Sequence, residues 1–137
     1  MAKYVLDTNA VSALMKGDAR VLARLERASR AAVSVPQPVF AEIAFGIERL
    51  PKSKRKHALR ERYELLRAEL PRAEWTDRVT DAFGRIKALL EKRGERIEDF
   101  DAAIAAHAMA VDATLVSANT DDMSRIPDIR LEDWSKL

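Results

Sequence analysis

Cysteine is absent from this 137-residue chain, which excludes disulfides, thiolate metal sites and cysteine nucleophiles. Histidine is scarce: His57 and His107 are the two present, so an acid–base histidine pair is an unpromising basis for any chemistry. The four glycines are scattered, leaving no phosphate-cradling loop, no dinucleotide fingerprint and no G-x-S-x-G elbow. No apolar run is long enough to cross a bilayer, and no charged-then-apolar leader stands at the start, so the expected setting is cytoplasmic with no membrane contact. The net charge of +2 is small, and basic character therefore matters locally or not at all.

What remains is 47% hydrophobic and 34% charged, the balance of a soluble globular protein. The length suits one domain, spanning 1–137, with a sizeable core. Short β-type runs, "YVL", "AAVSV" and "ATLVS", alternate with longer helical stretches. "VLARLERA" spaces Val21, Leu22, Leu25 and Ala28 as a helix does. "VFAEIAFGIERL" sets Val39, Ile43, Phe45, Ile47 and Leu50 on one broad side, with Pro36 and Pro38 at its entry. "KSKRKHALRERYELLRAEL" reads as a charged helix ended by Pro71, and "TDRVTDAFGRIKALLEKRG" as one running from a Thr76 cap to Gly94. "DAAIAAHAMAV" is apolar nearly all round and predicts a buried central helix. Strands alternating with helices imply an α/β sandwich, a mostly parallel sheet with helices on both faces.

Such sheets bind ligands beyond the carboxyl ends of their strands. Asp7 stands just past the first strand, and Asn119, Asp121 and Asp122 stand just past a late one. Asp7 could merely cap the next helix. Two acidic strand exits at one sheet edge favour a site instead. Glu42 and Asp101 are two more acids in apolar surroundings. Their plain alternatives are a polar stripe for Glu42 and a favourable first-turn charge for Asp101, with Asp99 free to take the capping role. No Lys or Arg stands beside Asp7, Glu42 or Asp101 in the sequence. Clustered carboxylates at about 4 Å repel by about 4 kcal/mol per pair at an effective dielectric of 20. A divalent cation relieves that repulsion, and an all-oxygen donor set favours Mg²⁺ or Mn²⁺ over zinc.

At this point "YVLDTNAV", "FAEIAFG", "DFDAAIAAHAMA" and "TLVSANTDDM" resemble the four acidic motifs of the PIN domain, most closely those of VapC-type ribonuclease toxins. The resemblance runs over essentially the whole chain, to the closing "IRLEDW". It implies a PIN-like three-layer sandwich and a Mg²⁺- or Mn²⁺-dependent endoribonuclease in which a metal-bound water opens the phosphodiester. Asp7, Glu42, Asp101 and Asp122 would be the catalytic, metal-binding carboxylates, with Asp121 an alternative to Asp122. Asn9, Ser117 and Asn119 would be supporting polar groups. The last motif departs from the usual pattern, with Ser117 and Ala118 in place of Thr and Asn, and Met123 in place of Phe. A VapB-type antitoxin, an RNA substrate and a homodimer are the partners the resemblance implies.

The basic run around Lys54, Arg55 and Lys56 suits RNA phosphates and a solvated helix face about equally, and only Tyr63 stands near for stacking. His107 reads as a hydrogen-bonded core residue and His57 as solvated. Two other functions fit parts of the pattern. An aspartate-nucleophile phosphatase also has an Asp after its first strand, but it needs an acid where Asn9 stands. An idle RNA- or protein-binding module would not need all four acids.

Overall fold

A computed structural model describes residues 2–136. The apolar runs become β1 (Tyr4–Leu6), β2 (Val33–Pro36) and β4 (Thr114–Val116), joined by β3 (Arg72–Ala73) and β5 (Leu131–Glu132). All pair in parallel, in the order β3-β2-β1-β4-β5. Neighbouring residues on a strand point to opposite faces, and Val5 and Leu6 of β1 are both fully buried, as are Leu115 and Val116 of β4. Both faces of the central strands are thus covered, which is why they read as unbroken apolar runs and not as alternating ones.

The chain builds outward from β1 to β2 and β3, then returns to lay β4 on the other side of β1. The reversal falls between β1 and β4, and it opens a crevice at their carboxyl ends. The helices are α1 (Thr8–Met15), α2 (Ala19–Arg27), α3 (Gln37–Glu48), α4 (Lys54–Glu69), α5 (Asp77–Lys92), α6 (Asp99–Ala110) and the short α7 (Thr120–Met123). Asp18, Ser53 and Thr76 each accept a backbone N–H in the first turn they precede, so α2, α4 and α5 begin where their caps stand. α5 stops in a Schellman turn: Gly94 N–H donates to Glu91 O and Glu95 N–H to Leu90 O, with Gly94 at φ +69°. α6 is buried on all sides from Ala102 to Ala108, and its alanines let it lie against β1 and β4 while α5 packs along it.

Three expectations need correction. Phe45 is 65% exposed, under the Arg49 guanidinium at 5.3 Å, because residues two apart on a helix diverge by about 200° and Ile43 and Ile47 face the core. Leu22 is likewise exposed, since Val21 and Leu25 already fill the inner side of α2. Asp99 does not cap α6. The cap position is Glu98, without a side-chain bond, and Asp99 pairs instead with Lys87 of α5 at 2.8 Å.

Candidate active site

Asp7 follows β1 directly and is only 4% exposed. Its N–H donates to Val116 O, tying the exit of β1 to that of β4, and its Oδ1 accepts Ala10 N–H at 2.9 Å as the cap of α1. Capping α1 thus does not exclude a further role for Asp7. Burial pushes its carboxyl up to about 6, and the charge of Asp101 adds to the rise. Hydrogen bonds from Ser117, Ala10 and Asn9 pull the other way without cancelling it.

Thr8, the next residue, donates from Oγ1 to Glu42 Oε1 at 2.5 Å and so fixes a half-buried carboxylate of α3 beside the start of α1. Asp101, on the first turn of α6, has its pKa raised by burial and then by the charges of Glu42, Glu98 and Asp122. Asp122 lines a cleft of about 330 Å³ with Asp101, Arg96, Ile97, Glu98, Met123 and Arg125. Asp121 takes no part in that lining. Asp122 is exposed and 3.8 Å from Arg125, so its charge is partly answered. Among the described residues neither Asp7, Glu42 nor Asp101 has such a cation.

Ser117 is buried just past β4, where its Oγ accepts Asn119 N–H at 2.9 Å and its hydroxyl serves Asp7. Asn9 is exposed, yet its backbone N–H donates to Asp7 and it lines a small cavity with Ser117. The structure therefore brings Asp7, Glu42, Asp101, Asp122 and Ser117 to one edge. Among the described residues no three Asp, Glu or His side chains close around a single point as a ready-made metal cage. An oxygen donor set this open suits an ion that takes one or two carboxylates and keeps its waters, as Mg²⁺ does, and does not suit tetrahedral zinc.

The basic run lies elsewhere. Lys56 Nζ donates to Glu48 O and Leu50 O at 3.0 Å each, closing the end of α3 opposite to its start at the strand exit. Along a twelve-residue helix that end is about 18 Å from the strand exit and about 9 Å along the axis from Glu42. Lys54 and Arg55 are exposed beside it. His107 is buried, its Nδ1–H donating to Ala103 O at 2.7 Å and its ring edge-on to Trp75, and burial lowers its pKa. His57 is exposed against Glu61. Thr8 and Glu98 were missed in the sequence, although Thr8 adjoins Asp7 and Glu98 stands three residues before Asp101, one helical turn away.

The PIN domain family profile matches residues 4–129. Ribonuclease VapC2 of Rickettsia felis is 33% identical over 135 residues, covering 97% of this chain and 98% of its own. The chain belongs to the PIN-domain family, in its VapC group. A tRNA(fMet)-specific endonuclease VapC of Salmonella typhimurium is 28% identical over 137 residues, covering 98% of this chain and 99% of its own. Among solved structures, VapBC2 from Rickettsia felis bound to a DNA fragment from their promoter superposes with a TM-score of 0.82, at 29% identity over 96% of this chain and 98% of that one. The all-parallel sheet with helices on both faces agrees with that fold.

Proposed function

We propose that the protein is the endoribonuclease toxin of a VapBC-type toxin–antitoxin module, acting with Mg²⁺ or Mn²⁺. One observation carries this reading: Asp7 is buried at the switch point, faces Asp101, and has no Lys or Arg at ion-pair distance among the described residues. A carboxylate placed so is ionised at neutral pH at the cost of burial and of a neighbouring charge, and a cation from outside the chain would relieve that cost. Asp7 and Asp101 are the principal ligands. Glu42, fixed by Thr8, and Asp122, at the cleft mouth, complete the site or orient water. When bound, the ion neutralises charge on the phosphate and makes water a competent nucleophile near neutral pH.

The chain's own residues do the rest. Ser117 and the N-terminal amides of α1 hold the Asp7 carboxylate in place, and burial keeps bulk water from its inner side. Asn119 reaches the same loop through its N–H. The partners of this reading are RNA, a VapB-type antitoxin and a second copy of the chain, and its setting is the cytoplasm. The names of the relatives, a ribonuclease VapC2 and a tRNA(fMet)-specific endonuclease VapC, support RNA as substrate. The deciding experiment is cleavage of total RNA by wild type and Asp7→Asn, with and without Mg²⁺. Cleavage by wild type alone, and only with the ion, is expected. Equal cleavage by the Asn variant would remove Asp7 from the site.

A further inference from the structure

A cavity lies away from the acids, between α2 and the C-terminal segment. It holds about 720 Å³ and is lined by Tyr4, Arg20, Arg24, Arg27, Trp134 and Lys136 among others, with no acidic side chain in its wall among the described residues. The three arginines follow at i, i+4 and i+7, which places them on one side of α2. Helix polarity explains Arg24 and Arg27 in the last turn, where cations are favoured. It does not explain Arg20, in the first turn, where a cation is disfavoured, nor Lys136, which comes from the far end of the chain.

Two of these guanidinium groups are already held in place. Arg24 pairs with Glu132 at 2.7 Å and lies 5.4 Å from the Trp134 ring centre, and Arg20 donates to Ser135 O at 3.2 Å. Arg27 and Lys136 are exposed. Trp134 also walls a small cavity with Asn9, Ala10 and Ser117, so the groove abuts the loops that carry Asp7. The acidic edge itself repels a polyanion, and the basic run of α4 sits at the far end of α3.

We propose that this α2 groove is a second binding surface for the substrate, taking the phosphate backbone of the RNA beyond the cleaved bond through Arg20, Arg27 and Lys136. Arg24 positions Glu132 and Trp134 beneath it. The proposal rests on the ribonuclease reading above.

The test uses bulk transfer RNA as probe, with chelator present so that nothing is cut, and measures affinity against salt by fluorescence anisotropy. Arg20→Gln/Arg27→Gln/Lys136→Gln leaves Arg24 in place and alters only exposed side chains. Loss of three phosphate contacts makes the slope of log affinity against log salt shallower by about 2–3. With Mg²⁺ restored, the variant should show a raised KM on transfer RNA and an unchanged kcat on a short oligonucleotide. Lys54→Gln/Arg55→Gln should leave the slope as in wild type. If wild type binds RNA but the triple variant has the same slope, or if the α4 variant carries the change, the groove proposal is overturned while the ribonuclease reading stands. If wild type neither binds nor cuts RNA, the ribonuclease reading falls first.

Discussion

Asp7 carries two roles that pull against each other. As the cap of α1 it accepts Ala10 N–H, while burial and Asp101 oppose its charge and raise its pKa to about 6. An unfolded Asp ionises near 3.9. Between those values the folded chain holds a proton that the unfolded chain has lost, so stability falls as pH rises through that window. About two pKa units correspond to on the order of 3 kcal/mol, absent below pH 4 and complete above pH 6. Asp7→Asn keeps a capping oxygen and discards the charge. In chelator, urea denaturation at pH 4.5 and 7.5 should show the wild type losing about 2 kcal/mol relative to the variant, since pH 4.5 already lies inside the window. Parallel pH dependence in the two proteins would mean that Asp7 is not the group concerned. Thr8 is the other residue on which the site turns. Its hydroxyl grips Glu42, and hydrogen bonds to charged groups contribute about 1.5–3 kcal/mol. Thr8→Val should lower RNA cleavage and Thr8→Ser should retain it; a fully active Val variant would leave Glu42 without need of that anchor.

Among the elements, the helices were legible because their ends are written in local chemistry. Thr76 and Gly94 stand where caps must stand, and α5 begins and ends there; Ser53 falls within the run that reads as a charged helix and proves to be the cap from which α4 begins. β3 and β5 were not legible. Each is two residues long, Arg72–Ala73 and Leu131–Glu132, too short for any period, and each exists because a central strand offers an edge to pair with. The site divides in the same way. Asp7 stood out as an acid ending an apolar run, and Asp101 as one opening an apolar helix. Which of Asp121 and Asp122 turns toward Asp101 depends on the wind of α7, and the task of Lys56 depends on where α3 happens to end. Neither leaves a trace in the local sequence. Gly94 offers an element-scale test. A side chain at φ +69° costs about 1–2 kcal/mol, so Gly94→Ala should lower the denaturation midpoint although open space surrounds the position. An unchanged midpoint would mean that the Schellman turn relaxes freely.

At the scale of the whole molecule, the doubly covered sheet positions β1 and β4 so that carboxylates from β1, α3, α6 and α7 meet at one edge. A folded chain that binds a cation there gains stability by mass action, whereas the unfolded chain has no such site. Millimolar Mg²⁺ or Mn²⁺ should therefore raise the melting temperature, and Asp101→Asn should blunt the gain. A melting curve indifferent to both ions would count heavily against the site. The same architecture carries an expectation about how RNA would be cut. Ribonucleases that use the RNA's own 2′-hydroxyl need an acid–base pair to move its protons. Here His107 is buried with Nδ1 committed to Ala103 O, and His57 is exposed on α4 against Glu61. Neither belongs to the acidic edge. Water is thus the expected nucleophile, entering in line with the leaving 3′ oxygen, and the 2′-hydroxyl is left untouched. The products should carry a 5′-phosphate and a 3′-hydroxyl, and a substrate with a single 2′-deoxy at the scissile position should still be cut. Mapping the cleaved ends of both substrates, with chelator as control, checks each point. Cyclic 2′,3′-phosphate ends, or cleavage that survives the chelator, would mean that the carboxylates gathered around Asp7 serve some purpose other than hydrolysis.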